Sequence, residues 1–168
     1  FYGGHFNKYK IKPDIVTYGK ALGNGFAINA IVGKRNIMNE ANNTFISSTN
    51  WTEAVGFAAA ISTLKKMKKI NLHTKLLKIG FKVETEWYNL SSKYNVPIEI
   101  NGIGPVLFMK FKHAKFKKVM NLYTQLMLKE GFLAANYYYA SYAHTDNLIK
   151  KYFIAVEKSF KQIKKTYF

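Results

Sequence analysis

The segment Pro13-Asp14-Ile15-Val16-Thr17-Tyr18-Gly19-Lys20-Ala21-Leu22-Gly23-Asn24-Gly25 constrains this chain more than any other. Pro13 breaks what precedes it and biases its neighbour towards extended backbone. Asp14 to Tyr18 is short, β-branched and aromatic, the composition of a strand. Gly19 and the Gly23-Asn24-Gly25 run bracket a tight loop, where glycine supplies the φ freedom of a sharp reversal. A second apolar stretch, Ala27 to Gly33, is again rich in β-branched residues. Strand, glycine loop, strand is the expected arrangement, with Lys20 where the backbone turns. A lysine so placed can be a phosphate ligand, a Schiff-base nucleophile or a solvated loop residue, and the last is the ordinary state of lysine. The phosphate-loop pattern does not fit, because Lys20 precedes its glycines and Ala21 follows it.

Further along, Lys34 to Glu40 reads as a short polar helix or turn, and Thr44 to Thr49 as a compact hydroxyl-rich segment. A long helix is expected from about Thr52, capped by Thr52 or Asn50, with Val55, Phe57, Ala58 to Ala60, Ile61 and Leu64 on its apolar stripe. A second is expected over Leu72 to Tyr94, with Leu76, Leu77, Ile79, Val83, Trp87 and Leu90 at helical spacing. The character changes at Asn95-Val96-Pro97. Strands are predicted over 98–100 and 105–111, and an amphipathic helix over 115–129 that stops at Gly131. An aromatic extended segment over 132–143 and a Thr145-capped helix over 146–165 complete the order. The sum is an α/β or α+β chain with a boundary near 90–97.

Hydrophobic residues make up 48% of the 168 residues and aromatics 16%, enough for a packed core and against disorder. No apolar run reaches the roughly 18 residues of a membrane-spanning helix, and Phe1-Tyr2-Gly3-Gly4-His5 lacks the basic-then-apolar form of a signal peptide. Cysteine is absent, which removes disulfides and thiolate chemistry and fits a cytoplasmic protein. The net charge of +17 suggests polyanion binding, but Arg35 is the only arginine and the lysines are dispersed, which favours a lysine-biased surface. His5, His73 and His113 have no carboxylate or histidine at ligand spacing, so no metal site is expected; His144 reads as structural, beside a helix cap.

Taken whole, the stretch from Pro13 to Gly33 closely resembles the pyridoxal-phosphate attachment segment of class III aminotransferases, within a glutamate-1-semialdehyde aminomutase-like subgroup. The resemblance continues in register. Ser47-Ser48-Thr49-Asn50-Trp51-Thr52-Glu53 and Ala58 to Leu64 are similar to the family's segment between the lysine and its long connecting helix. Gln125 to Leu133 resembles the small-domain helix and strand, and Ala143-His144-Thr145-Asp146 the opening of the last helix.

The resemblance implies an α/β fold: the C-terminal part of a fold type I PLP-dependent transferase. Residues 1–94 would form the end of the large cofactor domain with connecting helices, and 95–168 the small α+β C-terminal domain. It implies pyridoxal 5'-phosphate as cofactor and Lys20 as the catalytic, aldimine-forming lysine. Thr49, with Ser48 its nearest rival, would bond the cofactor phosphate of the neighbouring subunit in a homodimer with shared active sites. The implied reaction passes an amino group between a small-molecule amino donor and a keto or aldehyde acceptor, or moves it within one molecule as the aminomutase does. A non-catalytic basic module binding polyanions, with no specificity for nucleic acid, is the alternative. Ala27 stands where many members have proline, and Glu53-Ala54 where many have Asn-Pro. Members are usually much longer, and their phosphate loop, ring-stacking aromatic and ring-nitrogen aspartate lie upstream of the matched region. Asp14 sits in a different place from that aspartate. The chain is therefore expected to be an incomplete part, weak in cofactor binding and poor in turnover by itself.

Overall fold

The computed structural model describes Gly4 and residues 6–168; Phe1 to Gly3 and His5, with the expectations attached to them, lie outside the described residues. The elements in order are α1 (Phe6–Tyr9), β1 (Ile15–Tyr18), β2 (Ala30–Gly33), α2 (Arg35–Met38), α3 (Ala54–Lys69), α4 (Leu72–Tyr94), β3 (Ile98–Ile103), β4 (Val106–Phe111), α5 (Phe116–Lys129), β5 (Tyr137–Tyr139) and α6 (Asp146–Tyr167). Short 3-10 turns occupy Lys20–Leu22 and Asn39–Asn43. The chain forms two compact units, Phe1–His73 and Thr74–Phe168.

The second unit holds the large core. Its antiparallel sheet has the order β3-β4-β5, with Ile98 opposite Phe111, Phe108 opposite Tyr137 and Val106 opposite Tyr139. Strand alternation turns Leu107, Met109 and Phe111 inward, where they are buried with Ile98 and Tyr138. Helices supply the other layer: Val83, Trp87 and Leu90 from α4; Val119, Tyr123 and Met127 from α5; Tyr152, Val156, Phe160 and Ile163 from α6. These recur at three- and four-residue intervals, so each helix offers one apolar stripe to the sheet. A fully buried large side chain of this kind contributes about 1.5–3 kcal/mol. α5 ends in a Schellman arrangement: Gly131, at φ 84°, donates its N–H to the Leu128 carbonyl, and Phe132 donates to Met127. Thr145 caps α6 by accepting from the Leu148 N–H at 3.4 Å.

The break at Asn95-Val96-Pro97 is a turn inside this unit rather than an edge between compact units. α4 buries Val83, Trp87 and Leu90 with the sheet that follows, and the two compact units divide at 73/74. Leu77 is correspondingly exposed, at the start of the helix away from that core.

The first unit is thinly packed. β1 and β2 form an antiparallel hairpin, Ile15 opposite Gly33 and Tyr18 opposite Ala30, whose open end carries an Asp14–Lys34 ion pair at 2.5 Å. Two expectations fail here. Phe57, Ile61 and Leu64 of α3 are exposed, while Gly56 and Ala60 are buried, and the missing side chain of Gly56 lets the helix backbone approach the Ala27-Ile28 loop. The N-cap of α3 is Glu53, without a side-chain hydrogen bond. Asn50 and Thr52 lie in the turn before it, where the Asn50 carbonyl accepts from the Glu53 N–H.

Candidate active site

β1 ends at Tyr18, Gly19 continues it in extended backbone, and Lys20 then opens the 3-10 turn. The ladder would next pair Gly19 with Asn29, and the Asn29 side chain lies against the Gly19 Cα; a methyl group there would collide with the Asn29 amide oxygen. Lys20 itself has φ 48°, a left-handed conformation that costs a residue with a Cβ about 1–3 kcal/mol and often marks a functional turn. The Leu22 N–H donates to the Gly19 carbonyl at 3.0 Å, and the Phe26 N–H to the Gly23 carbonyl at 3.2 Å. Lys20 thus lies inside the first of two successive tight turns. The lysine is exposed, and among the described residues its ammonium has no ion-pair or hydrogen-bond partner.

Ser48 and Thr49 lie at the entrance of the turn before α3, where the Ser48 carbonyl accepts from the Trp51 N–H at 3.3 Å. Both are exposed, and their hydroxyls are unbonded among the described residues. No hydrogen bond within the chain joins either of them to Lys20. Asp14 is committed to Lys34 at the other end of the hairpin, and Arg35 is an exposed residue opening α2.

His144 and His113 have structural partners. His144 Nδ1 accepts from the Ser141 N–H at 3.3 Å and lies 2.8 Å from the Tyr138 hydroxyl, whose pKa burial pushes up to about 12. Beside the Thr145 cap, this is the structural role expected of it. His113 Nδ1 accepts from the Lys115 N–H at 2.9 Å, and its ring meets Tyr167 and Phe168 edge-on. Sequence reading missed Asn29, Ile28 and Gly56 around the lysine turn. The one available signal was a glycine retained inside the alanine-rich run of α3.

A family model described as "Aminotransferase class-III" matches residues 3–153. The chain is 30% identical, over 97% of its length, to a 3-aminobutyryl-CoA aminotransferase of Cloacimonas acidaminovorans. It is also 30% identical, over 96% of its length, to a glutamate-1-semialdehyde 2,1-aminomutase of Nitrosopumilus maritimus. It spans only 41% and 43% of those relatives. Among solved structures, it superposes with a TM-score of 0.88 on the FumI protein of Sphingopyxis sp. MTA144 in its PLP internal aldimine form, at 22% identity, covering 95% of this chain and 39% of that one. An omega-transaminase of Sphaerobacter thermophilus gives a TM-score of 0.86 at 16% identity, with 98% and 42% covered. The fold is that of the corresponding part of these fold type I structures, and the chain belongs to the class III aminotransferases.

Proposed function

We propose that this chain is the lysine-bearing part of a pyridoxal-phosphate-dependent transaminase that transfers an amino group between an amino donor and a keto or aldehyde acceptor. The observation that carries this is Lys20: an amine with no partner among the described residues, held in a left-handed turn at the end of a hairpin, within a chain of this family. The residues present fit the cofactor. A free amine suits its aldehyde, and the unbonded hydroxyls of Ser48 and Thr49 suit its phosphate as hydrogen-bond donors. As the resemblance of the Ser47 to Glu53 segment to its counterpart in the family implies, we assign those hydroxyls to the neighbouring subunit's site in a homodimer. Residues 1–94 would be the end of the large cofactor domain with its connecting helices, and 95–168 the small domain. A cytoplasmic location belongs to the same proposal.

Bound there, pyridoxal phosphate supplies an electron sink for charge developing at the donor α-carbon. Lys20 Nζ would take the proton from that carbon and deliver it to C4′ of the cofactor, as a positioned general base. Asp14, ion-paired with Lys34, is not placed to partner a ring nitrogen. That role, with most of the phosphate cradle, falls to the part of the longer relatives outside the matched region. The chain alone is therefore a weak binder.

The test uses the complete polypeptide with cofactor, an amino donor labelled with heavy nitrogen, and a set of keto and aldehyde acceptors. Label is expected in the acceptor product and is lost in Lys20→Ala. Migration of label within a single molecule would instead favour the aminomutase-type reaction, the one named for the Nitrosopumilus relative. Cofactor-loaded protein that moves label in neither way contradicts the proposal.

A further inference from the structure

Among the described residues of the first unit, those buried are Gly23, Gly56 and Ala60. Ile28 lies between the first two. A methyl group at Gly56 would stand 3.1 Å from the Ile28 Cβ and 2.7 Å from the Ala27 carbonyl oxygen; one at Gly23 would stand 2.8 Å from the Ile28 Cγ2 and collide with the Phe26 carbonyl. The α3 backbone therefore rests directly on the loop that closes the Lys20 turn, and Gly23 is the C-cap of that turn. Glycine inside a helix costs about 1 kcal/mol relative to alanine. α3 nevertheless keeps one, two residues before a run of three alanines, at its closest approach to the loop.

We propose that Gly56 and Ile28 are positioning residues for Lys20: α3 bears through Ile28 on Gly23 and fixes where the lysine turn presents its amine. This rests on the assignment of Lys20 as the cofactor lysine. The contacts that set the turn run from the α3 backbone to the Ala27 carbonyl and through the Ile28 side chain to Gly23, and a close-packed contact of that kind cannot absorb an added methyl without moving one partner. Displacement of a reacting group by about 1 Å slows reaction by one to two orders of magnitude.

The test treats the complete polypeptide with pyridoxal phosphate and borohydride, and maps pyridoxyl groups by mass spectrometry. The quantity read is the initial labelling rate at Lys20 relative to that at the exposed helix lysines Lys65 and Lys66 of the same molecule. Gly56→Ala and Ile28→Ala are each expected to lower this ratio by roughly tenfold. Ser62→Gly, an exposed change that weakens α3 by propensity alone, is expected to leave it unchanged. If Gly56→Ala does not fold, Ile28→Ala decides. A wild-type ratio near one refutes the cofactor-lysine assignment and this proposal with it. A high wild-type ratio that survives both substitutions, or that falls equally in Ser62→Gly, overturns the positioning role and leaves the assignment standing.

Discussion

The indole N–H of Trp87 donates to the phenol oxygen of Tyr152 at 3.1 Å, and the Tyr123 hydroxyl lies 3.4 Å from the same oxygen. All three residues are buried and come from α4, α6 and α5, so one polar chain ties the helices of the second unit together inside an apolar core. Tyr152→Phe keeps the ring and leaves the Trp87 N–H unpaired. Loss of about 1–3 kcal/mol is expected, read by denaturant unfolding followed through tryptophan fluorescence. Trp51, the other tryptophan, is exposed, so the buried-to-exposed signal comes from Trp87.

The same burial gives an alkaline limit. Desolvation holds the Tyr123 and Tyr152 phenols well above their ordinary value of 10.0. Above that pH the unfolded chain loses these protons and the folded core keeps them, so the unfolded state binds fewer protons and stability falls as pH rises. Melting temperature is expected to hold below pH 10.0 and decline above it, less steeply in Tyr123→Phe than in wild type.

Glu157 sets an acid-side dependence of opposite sign. Hydrogen bonds from Lys93, at 2.5 Å, and Tyr94, at 2.8 Å, hold its carboxyl below the ordinary value of 4.5. Its contribution is therefore present above pH 4.5 and lost as pH falls through the depressed value. The pair is partly solvent-exposed and its effect small. The melting difference between wild type and Glu157→Gln should shrink to nothing in acid.

The first unit should be the less protected of the two. Ile15, Ile31 and Val32 of the hairpin, Phe26 after the lysine turn, and Phe57, Ile61 and Leu64 of α3 are all exposed, and a two-stranded hairpin has little stability of its own. In the isolated chain, backbone amides of 15–33 should exchange by local opening, much faster than those of 83–90 and 149–163. Equal protection across both regions would contradict this.

The second unit was largely legible in the sequence because its helices and strands bury one regular face each. The bounds of α4 were read correctly, and the stripe Val119, Tyr123, Met127 needed only periodicity. The first unit was not, for a physical reason. Its apolar residues do not mark its own core: Phe57, Ile61 and Leu64 look like a buried stripe and are exposed, while small residues do the packing. Lys20 was singled out as a candidate from the motif around it, as were Ser48 and Thr49. Ile28 could not be, because a close approach of helix to loop leaves no periodic trace, and Gly56 left only its place in the alanine-rich start of α3.

The central claim is that Lys20, among the many lysines of this chain, is the one that bonds the cofactor. The most direct measurement is borohydride reduction of the complete polypeptide saturated with pyridoxal phosphate, followed by peptide mapping of the pyridoxyl group. One dominant adduct at Lys20, absent in Lys20→Ala, is predicted. Adducts scattered over surface lysines, unchanged in Lys20→Ala, would contradict it.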